Sequence, residues 1–276
     1  MTSDAARQWG LHRVTVKYGD TTALDNVSLD ARPGEVYAVV GGDGAGKTTA
    51  LRCLAGAVNP TEGSVSTPGR RSIGFMPTAA GVWGDLSVNE NIDFVAAAQG
   101  VTGQSLSDRR EELLEATGLT GATSRLARQL SGGMRQKLAF SLAMLHRPDL
   151  LILDEPSTGV DPVSRIDLWR MISRATADGA AVVMATTYLD EAQRASQVLA
   201  LDAGEVLIEG TPADVLTRVP GHVSIVDAPQ DRALAWRRGR TWRQWSPEDP
   251  PSGQPRVEDL EDAMVAAGLS KEVTHA

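Results

Sequence analysis

The pattern of apolar and polar positions changes along the chain and predicts different structures in different segments. The first thirty residues alternate, as in LHRVTVKY and ALDNVSLDA, which predicts an antiparallel sheet at the edge of a domain. From Glu35 onward, short apolar runs are each followed by a turn and a helical pattern. These runs are EVYAVVG, LLILDEP (150–156), AAVVMAT (180–186) and SQVLALD (196–202).

Helical patterns separate the apolar runs, notably at 131–146 and 162–177. Strands that alternate with helices are typical of βαβ units, so we expect an α/β fold with a parallel-sheet core. Residues 77–130 hold the helical patterns NENIDFVAAAQ and SDRREELLEATG with no strong strand, and we interpret them as a helical insertion. After about Pro220, WRRGRTWRQW, SPEDPPSGQPR and VEDLEDAMVAAG predict a small C-terminal appendage with an internal linker.

Composition and charge narrow the class of protein. The chain has 276 residues, a net charge of −8 and a pI near 5.1, which argues against non-specific binding to nucleic acid. Cys53 is the only cysteine, so we expect no disulfide framework and no cysteine metal site, and we interpret Cys53 as a passive core residue. The N-terminus lacks a signal pattern and no apolar run reaches the ~18 residues of a membrane span, so we expect a cytoplasmic location.

The segment GGDGAGKT (41–48) follows an apolar strand and precedes a helical pattern, which is the context of a phosphate-binding loop. Its glycines would let backbone amides converge on an anion, and the helix N-terminus would add its dipole. Lys47 would reach the β- and γ-phosphates of a nucleotide, and the Thr48 hydroxyl would contact Mg²⁺. The alternative is a glycine-rich turn that only resembles this pattern.

The run LLILDEP brings two acidic residues to the end of a buried strand. We expect Asp154 to hold Mg²⁺, directly or through water, and Glu155 to polarise the water that attacks a γ-phosphate. The alternative is an acidic strand end without a ligand, and the phosphate loop argues against it.

A second anion-binding helix end is predicted at LSGGMRQ (130–136). Ser131 is placed to cap a helix, and Gly132 and Gly133 leave the amides of its first turn accessible. Because the phosphate loop already completes one site, we infer that this helix end serves another copy of the fold.

Together these motifs resemble the nucleotide-binding domain of the ATP-binding cassette (ABC) transporters, which has the P-loop NTPase core. The resemblance covers about residues 9–218 and includes GGDGAGKTT, LSGGMRQ, LLILDEP and STGVDP in the family's order. It implies an ATP-binding domain over 1–218 and a small appendage over 219–276. It also implies two such domains facing each other head to tail, with two ATP molecules and Mg²⁺ between them.

The resemblance also assigns residues to the nucleotide. Tyr18 occupies the position of an aromatic residue that stacks on adenine, and a plain strand tyrosine is the alternative. Asp161, in STGVDP, belongs to the loop that follows the seam between the two domains. The phosphate-loop residues expected to bind ATP are Gly41, Gly42, Asp43, Gly44, Ala45, Gly46, Lys47, Thr48 and Thr49.

The chain departs from the family pattern at three places. Gly42 and Asp43 replace the usual Pro-Asn, which we expect to be tolerated because backbone amides hold the phosphates. Thr78 stands where a glutamine usually contacts Mg²⁺ and the attacking water, and Thr187 stands where a histidine contacts the γ-phosphate. We therefore expect this ATP site to be weakened in catalysis, with a more active site on a partner domain. The alternative is that Glu155 suffices for hydrolysis.

The family further implies a peripheral subunit at the cytoplasmic face of the cell membrane, bound to integral-membrane transporter subunits and to no specific nucleic acid. The tail PRVEDLEDAMVAAGL resembles the ending of drug- and antibiotic-exporter (ABC-2-like) subunits, with Met264 in place of an aromatic residue. Trp83 is either a contact for the membrane subunit or a packed side chain. The stretch 236–245 is either a strand pair with a basic face or a patch for membrane or nucleic acid.

The function we expect is an ATPase that drives export, slowly or in dependence on its partner. Two other functions stay open: a regulatory cassette that binds ATP without turning it over, and a soluble ABC ATPase that acts on ribosomes. The cargo stays open too, as does the choice between a homodimer and a heterodimer.

Overall fold

The computed structural model describes residues 8–79, 81–252 and 255–275; the N-terminal segment 1–7 and positions 253–254 of the predicted linker lie outside the described residues. The strands are β1 (Trp9–Tyr18), β2 (Thr21–Ala31), β3 (Val36–Val40), β4 (Glu62–Ser66), β5 (Ile73–Met76), β6 (Leu150–Asp154), β7 (Ala181–Thr186), β8 (Gln197–Asp202), β9 (Glu205–Gly210), β10 (His222–Val226), β11 (Ala235–Arg238) and β12 (Thr241–Ser246). The helices are α1 (Lys47–Leu54), α2 (Val88–Gln99), α3 (Gly103–Thr117), α4 (Gly132–Met144), α5 (Pro162–Ala177), α6 (Leu189–Ala192), α7 (Pro212–Arg218) and α8 (Leu260–His275).

The central sheet has the strand order β5-β6-β7-β3-β8-β9. Strands β5 to β8 along this order are parallel, which confirms the predicted α/β core, and β9 runs antiparallel to β8 at the edge. β3, β6 and β7 are buried along their whole length because both faces of the sheet are covered, which explains their continuous apolar runs. Since parallel strands end at one edge, the segments that follow β3, β5, β6 and β7 lie together there.

The antiparallel sheet predicted near the N-terminus is present, in the order β2-β1-β4. Leu11, Val14 and Leu24 are buried in one cluster with side chains of α1 and of the central sheet. β4 is not predicted, because EGSVS is short, polar and largely exposed. Cys53 of α1 lies in the same cluster, and burial raises the pKa of its thiol to about 11, as suits a passive core residue.

Between β5 and β6, the described residues form helices and turns with one isolated bridge between Ser87 and Leu126, as the helical pattern predicts. α2 begins at a capping box in which the Ser87 hydroxyl accepts from the Glu90 N–H and the Glu90 carboxylate accepts from the Ser87 N–H. The boundaries of the insertion at 77–130 and of the domain at residue 218 stay predictions.

The C-terminal appendage packs onto the main domain. Its three strands form an antiparallel sheet in the order β10-β12-β11, and α8 contacts this sheet together with β9 and α7. Trp245, Leu260 and Ala263 belong to the hydrophobic cluster that also covers one face of the central sheet. Among the described helices, none combines the length and the apolar character that crossing a membrane requires.

The Trp/Arg stretch 236–245 forms the strand pair β11–β12, and two of its arginines face the segment at the start of α8. Arg238 Nη1 lies 2.5 Å from Asp259 Oδ2, and Arg243 Nη2 lies 2.8 Å from Glu258 Oε2. The Trp245 Nε1–H donates to the carbonyl oxygen of Pro220 at 2.8 Å. The stretch therefore forms the predicted strand pair, and Arg238 and Arg243 are paired with carboxylates of the appendage itself.

Candidate nucleotide site

The loop between β3 and α1 has the backbone that an anion-binding loop needs. Gly41, Gly44 and Gly46 have φ angles of 153°, 80° and 102°, which L side chains rarely adopt. A Cβ on Gly41 would lie 2.3 Å from the Leu201 carbonyl oxygen, and one on Gly46 would lie 2.6 Å from that of Ala23. Gly46 is the N-cap residue of α1 and has no side chain to cap the helix, so the amides of the first turn are left for a bound anion.

A cavity of about 290 Å³ opens above this loop and collects most of the predicted phosphate-site residues. Its lining consists of Ala23, Gly42, Asp43, Gly44, Ala45, Gly46, Lys47, Thr48, Thr49, Thr78 and Glu155. Ala23 is not predicted, because nothing in the alternating pattern of β2 distinguishes it from its neighbours. Its position follows from the packing of β2 against the phosphate loop.

Lys47 is buried, and its ammonium group is folded back onto the loop. Nζ donates to the carbonyl oxygens of Gly41 (2.8 Å) and Gly42 (3.0 Å), and it lies 3.6 Å from Glu155 Oε1. Gly42, where the family usually has proline, thus contributes only its backbone to this contact. The positive charge lies beside the cavity, where a polyphosphate would need it.

Asp154 ends β6 as a buried carboxylate held by two hydroxyl groups. Thr48 Oγ1 donates to Oδ1 at 3.2 Å, and Thr78 Oγ1 donates to Oδ2 at 2.8 Å. The hydroxyl of Thr48 and the carboxylate of Asp154 are hard oxygen donors of the kind that Mg²⁺ prefers. They fit an ion that takes few protein ligands and completes its shell with water and phosphate oxygens.

Glu155 follows directly and turns out of the strand with a φ of 54°, while its N–H donates to the Ala185 carbonyl oxygen at 3.0 Å. Its Oε2 accepts a hydrogen bond from Thr158 Oγ1 at 3.1 Å and lies 3.4 Å from the N–H nitrogen and 3.5 Å from Oγ1 of Thr187. Thr158 is a contact that sequence reasoning misses. Its position three residues after Glu155 in a turn is the signal that could have found it.

The two threonines after β7 have different surroundings. Thr186 is buried, donates to Glu191 Oε2 at 2.7 Å and accepts from the Tyr188 N–H at 3.0 Å, which fixes the start of α6. Thr187 is exposed and faces Glu155 through long contacts. The turn after β7 therefore places the hydroxyl of Thr187, which is short and does not titrate, beside the Glu155 carboxylate.

The predicted signature residues lie apart from the cavity, at the N-terminus of α4. The Ser131 hydroxyl accepts from the Met134 N–H at 3.2 Å. A Cβ on Gly133 would lie 2.5 Å from Ser164 Oγ, and one on Gly132 would lie 3.2 Å from the Gly159 carbonyl oxygen. This helix end is therefore packed closely against the segment that leads into α5.

Asp161 caps α5 from that same segment. Its Oδ1 accepts from the N–H groups of Val163 (3.1 Å) and Ser164 (3.0 Å), and these hydrogen bonds, that from Ser164 above all, lower the pKa of the carboxyl group. Tyr18 is likewise outside the cavity, 52% exposed at the end of β1. The structure thus divides the predicted residues into one group at the phosphate cavity and other groups on separate surfaces.

Similarity to known proteins agrees with the nucleotide site described above. The model of the ABC transporter family matches residues 24–158. The daunorubicin/doxorubicin resistance ATP-binding protein DrrA of Streptomyces peucetius is 34% identical over 273 residues, which span 92% of this chain and 82% of DrrA. The "Probable multidrug ABC transporter ATP-binding protein YbhF" of Escherichia coli is 37% identical over 222 residues; these span 77% of this chain but only 38% of YbhF.

A solved structure agrees with these matches. The dimeric post-hydrolysis state of the ATP-binding cassette MJ0796, bound to ADP and Pi, superposes with a TM-score of 0.66 at 26% identity. The superposition covers 74% of this chain and 98% of that cassette. With the phosphate loop, the acidic pair and a relative of this extent and identity, the chain belongs to the ABC transporter family, as an ATP-binding cassette.

Proposed function

We propose that this chain is the ATP-binding subunit of an exporter and uses ATP binding and hydrolysis to drive transport through separate integral-membrane subunits. The observation that carries the proposal is the convergence of Lys47, Thr48 and Glu155 on one cavity above the phosphate loop, with the Asp154 carboxylate hydrogen-bonded to Thr48. The names of the relatives, among them a drug-resistance protein, support export as the process. We place the subunit at the cytoplasmic face of the membrane.

Within this proposal, the amides of the phosphate loop and the Lys47 ammonium bind the phosphates of ATP. Thr48 and Asp154 would hold Mg²⁺, which supplies charge neutralisation at the phosphate oxygens. Glu155 orients the attacking water and accepts its proton, since its carboxylate opens onto the cavity. A second cassette domain supplies Ser131, Gly132 and Gly133 of its own α4 to close the site, and Asp161 lies at the seam.

We further propose that this ATP site hydrolyses slowly. A histidine at position 187 could donate to a γ-phosphate and carry charge, whereas the Thr187 hydroxyl is short and reaches only the neighbourhood of Glu155. Thr78 is engaged with Asp154 and cannot reach as far as a glutamine. Loss of one positioned donor typically lowers turnover by about 10²–10³.

The same two residues favour a second candidate function, a cassette whose output is closure on ATP without turnover. In that case Glu155 would contribute little, and ATP would act as a ligand that brings two domains together. A soluble ABC ATPase without a membrane partner is the third alternative, and no contact in the described residues favours it over the exporter subunit.

A surface near Thr78 is our candidate contact for the membrane subunit. Trp83 is 44% exposed and packs against Phe94, itself half-exposed, with ring centroids 4.3 Å apart and the ring planes tilted by 57°. The backbone N–H of Trp83 donates to Asn91 Oδ1 at 2.8 Å, which fixes the loop against α2. Exposed aromatic pairs of this kind are suited to bury against a partner.

Purification of the complex from detergent-solubilised membranes tests the proposal. We expect an integral-membrane protein to co-purify with this chain, and the complex to turn over ATP more slowly than the ~10 s⁻¹ typical of enzymes. Glu155→Gln separates the two leading functions, because it abolishes turnover in an ATPase and leaves a binding-only cassette unchanged. A chain that purifies without any membrane protein would contradict the exporter assignment.

A further inference from the structure

The turn between β8 and β9 lies against the phosphate loop. It consists of Ala203 and Gly204, with φ angles of 48° and 86°, and it is flanked by Asp202 and Glu205. The Gly204 N–H donates to the carbonyl oxygen of Ala45, in the phosphate loop, at 3.1 Å. The turn therefore supports one side of the loop that is expected to hold ATP.

The same turn also contacts β2, whose residue Ala23 lines the cavity. The Asp25 N–H donates to the Gly204 carbonyl oxygen at 2.8 Å. A Cβ on Gly204 would lie 2.8 Å from the carbonyl oxygen of Ala23, which lines the cavity. A shift of Gly204 would therefore be transmitted both to the phosphate loop and to β2.

A lysine of the C-terminal helix holds the two carboxylates that flank this turn. Lys271 Nζ lies 2.7 Å from Glu205 Oε2 and 3.7 Å from Asp202 Oδ2. The hydrogen bond to Glu205 is the main reason why the pKa of Lys271 is raised. The lysine is 25% exposed, whereas the two carboxylates are about half-exposed, so the lysine side is the more fixed one.

The helix that carries Lys271 is firmly anchored. Ala263, Ala266 and Ala267 of α8 are buried in the core cluster. The buried carboxylate of Asp262 on the same helix lies 3.3 Å from Arg243 Nε and 3.5 Å from Arg238 Nη1. Lys271 thus extends from an anchored helix to a turn in which both central residues have a left-handed backbone conformation.

We propose that Lys271 is a positioning residue for ATP binding, which couples the C-terminal appendage to the phosphate loop through the 202–205 turn. The proposal rests on the proposed function, since it assumes that ATP occupies the cavity. The ammonium group holds Asp202 and Glu205 together and cancels their mutual repulsion. Without it, the turn is less well fixed and Ala45 loses part of its support.

The test is the Kd of Mg-ATP for the full chain, measured by isothermal titration calorimetry, with thermal unfolding measured in parallel. Partly exposed ion pairs typically correspond to a fewfold change, so we expect Lys271→Met to weaken ATP binding about threefold. Lys271→Arg restores the wild-type Kd. Glu272→Gln changes the charge of the next residue on the same helix, which is exposed, and leaves the Kd unchanged.

A variant on the turn side distinguishes positioning from a general charge effect. Glu205→Met removes a negative charge, so a long-range electrostatic effect alone would tighten the binding of anionic ATP. If the turn must be held, Glu205→Met weakens binding as Lys271→Met does. Tighter binding by Glu205→Met would overturn the inference.

The outcomes separate the inference from the proposed function. A wild-type chain that binds no Mg-ATP would contradict the proposed function itself. A wild-type chain that binds Mg-ATP, with Lys271→Met and Glu205→Met binding equally well, would overturn only the role of Lys271. Lys271→Met could also weaken ATP binding by destabilising the protein, which a strongly lowered unfolding temperature would reveal. In that case the Kd of Glu205→Met tests the role of the turn, because that variant leaves α8 intact.

Discussion

The hydroxyl of Thr78 donates a hydrogen bond to Asp154 Oδ2 over 2.8 Å, so the segment after β5 holds the acidic end of β6. Thr48 donates to the other carboxylate oxygen, Oδ1, at 3.2 Å. Asp154 is therefore oriented from both sides by hydroxyl groups. Thr78 therefore has a structural role at the position where the family has a glutamine. Its hydroxyl orients the Asp154 carboxylate, which we propose as a ligand of Mg²⁺.

Thr78→Val removes this hydrogen bond and keeps the shape of the side chain. Partners that orient a metal ligand typically change metal affinity or activity by about 10–100-fold, so we expect a rise of about tenfold in the Mg²⁺ concentration that half-saturates ATP binding. Thr78→Ser keeps the hydroxyl and serves as the control. Equal Mg²⁺ dependence in Thr78→Val and the wild type would mean that Thr78 does not orient Asp154 when ATP is bound.

Thr187→His tests whether the weak point of the site lies at the corner after β7. An imidazole there can donate to a γ-phosphate and carry positive charge, so we expect turnover to rise by up to about 10²-fold. Turnover is measured on the assembled complex. The double variant Glu155→Gln/Thr187→His gives the background rate, since it lacks the carboxylate that activates water. If Thr187→His binds ATP normally and turns over no faster, the limiting feature lies elsewhere, and Glu155 suffices as it stands.

Sequence motifs predicted the structure where it depends on backbone geometry and on residues close together in the chain. The phosphate loop combines glycines that require positive φ with a helix start, and both requirements are visible within eight residues of sequence. The parallel core was predictable because strands covered on both faces, such as β6, must be apolar throughout.

Contacts between distant segments were not predictable from these patterns. β4 is polar and short, so it has no strand signal until β1 provides its hydrogen-bonding partner. Ala23 lines the cavity only because β2 packs against the phosphate loop. The pairing of Arg238 with Asp259 joins residues 21 positions apart in a stretch whose composition alone was consistent with a surface patch.

Gly133 is predicted to be required for packing within this chain. A Cβ there would lie 2.5 Å from Ser164 Oγ and 2.9 Å from Ser164 Cβ, so α5 would have to shift. Although alanine favours helix over glycine, we expect Gly133→Ala to lower the free energy of unfolding by about 1–3 kcal/mol, the usual cost of overpacking. Chemical denaturation measures this change.

Two variants control for the helix preference of alanine. Gly268 lies on α8, where an added Cβ would meet open space, so Gly268→Ala should stabilise the protein or leave its stability unchanged. Adding Ser164→Gly to Gly133→Ala removes both clashing atoms and should recover part of the loss. No recovery would show that the cost arises from something other than contact with Ser164.

Glu112 links the helical insertion to the core, and this link is predicted to depend on pH. On α3, its carboxylate contacts Arg109 (2.7 Å) on the same helix, and Arg147 (2.9 Å) and Arg174 (3.3 Å) outside the insertion. The hydrogen bond from Arg109, followed by the charges of the arginines, lowers the pKa of Glu112. The folded state therefore binds the proton of this group less readily than the unfolded state does.

A lowered pKa in the folded state means that the contribution of Glu112 is complete above its unfolded pKa of about 4.3 and is lost as the pH falls through its folded pKa. We expect Glu112→Gln to be less stable than the wild type at pH 7, and the difference to shrink as the pH falls below about 4.3. Denaturation with urea across this range measures the difference. Glu111→Gln, one residue away on the exposed side of α3, removes the same charge and serves as the matched control. A wild-type advantage over Glu112→Gln that stays constant down to acidic pH would contradict the role of the carboxylate charge and leave only a packing effect.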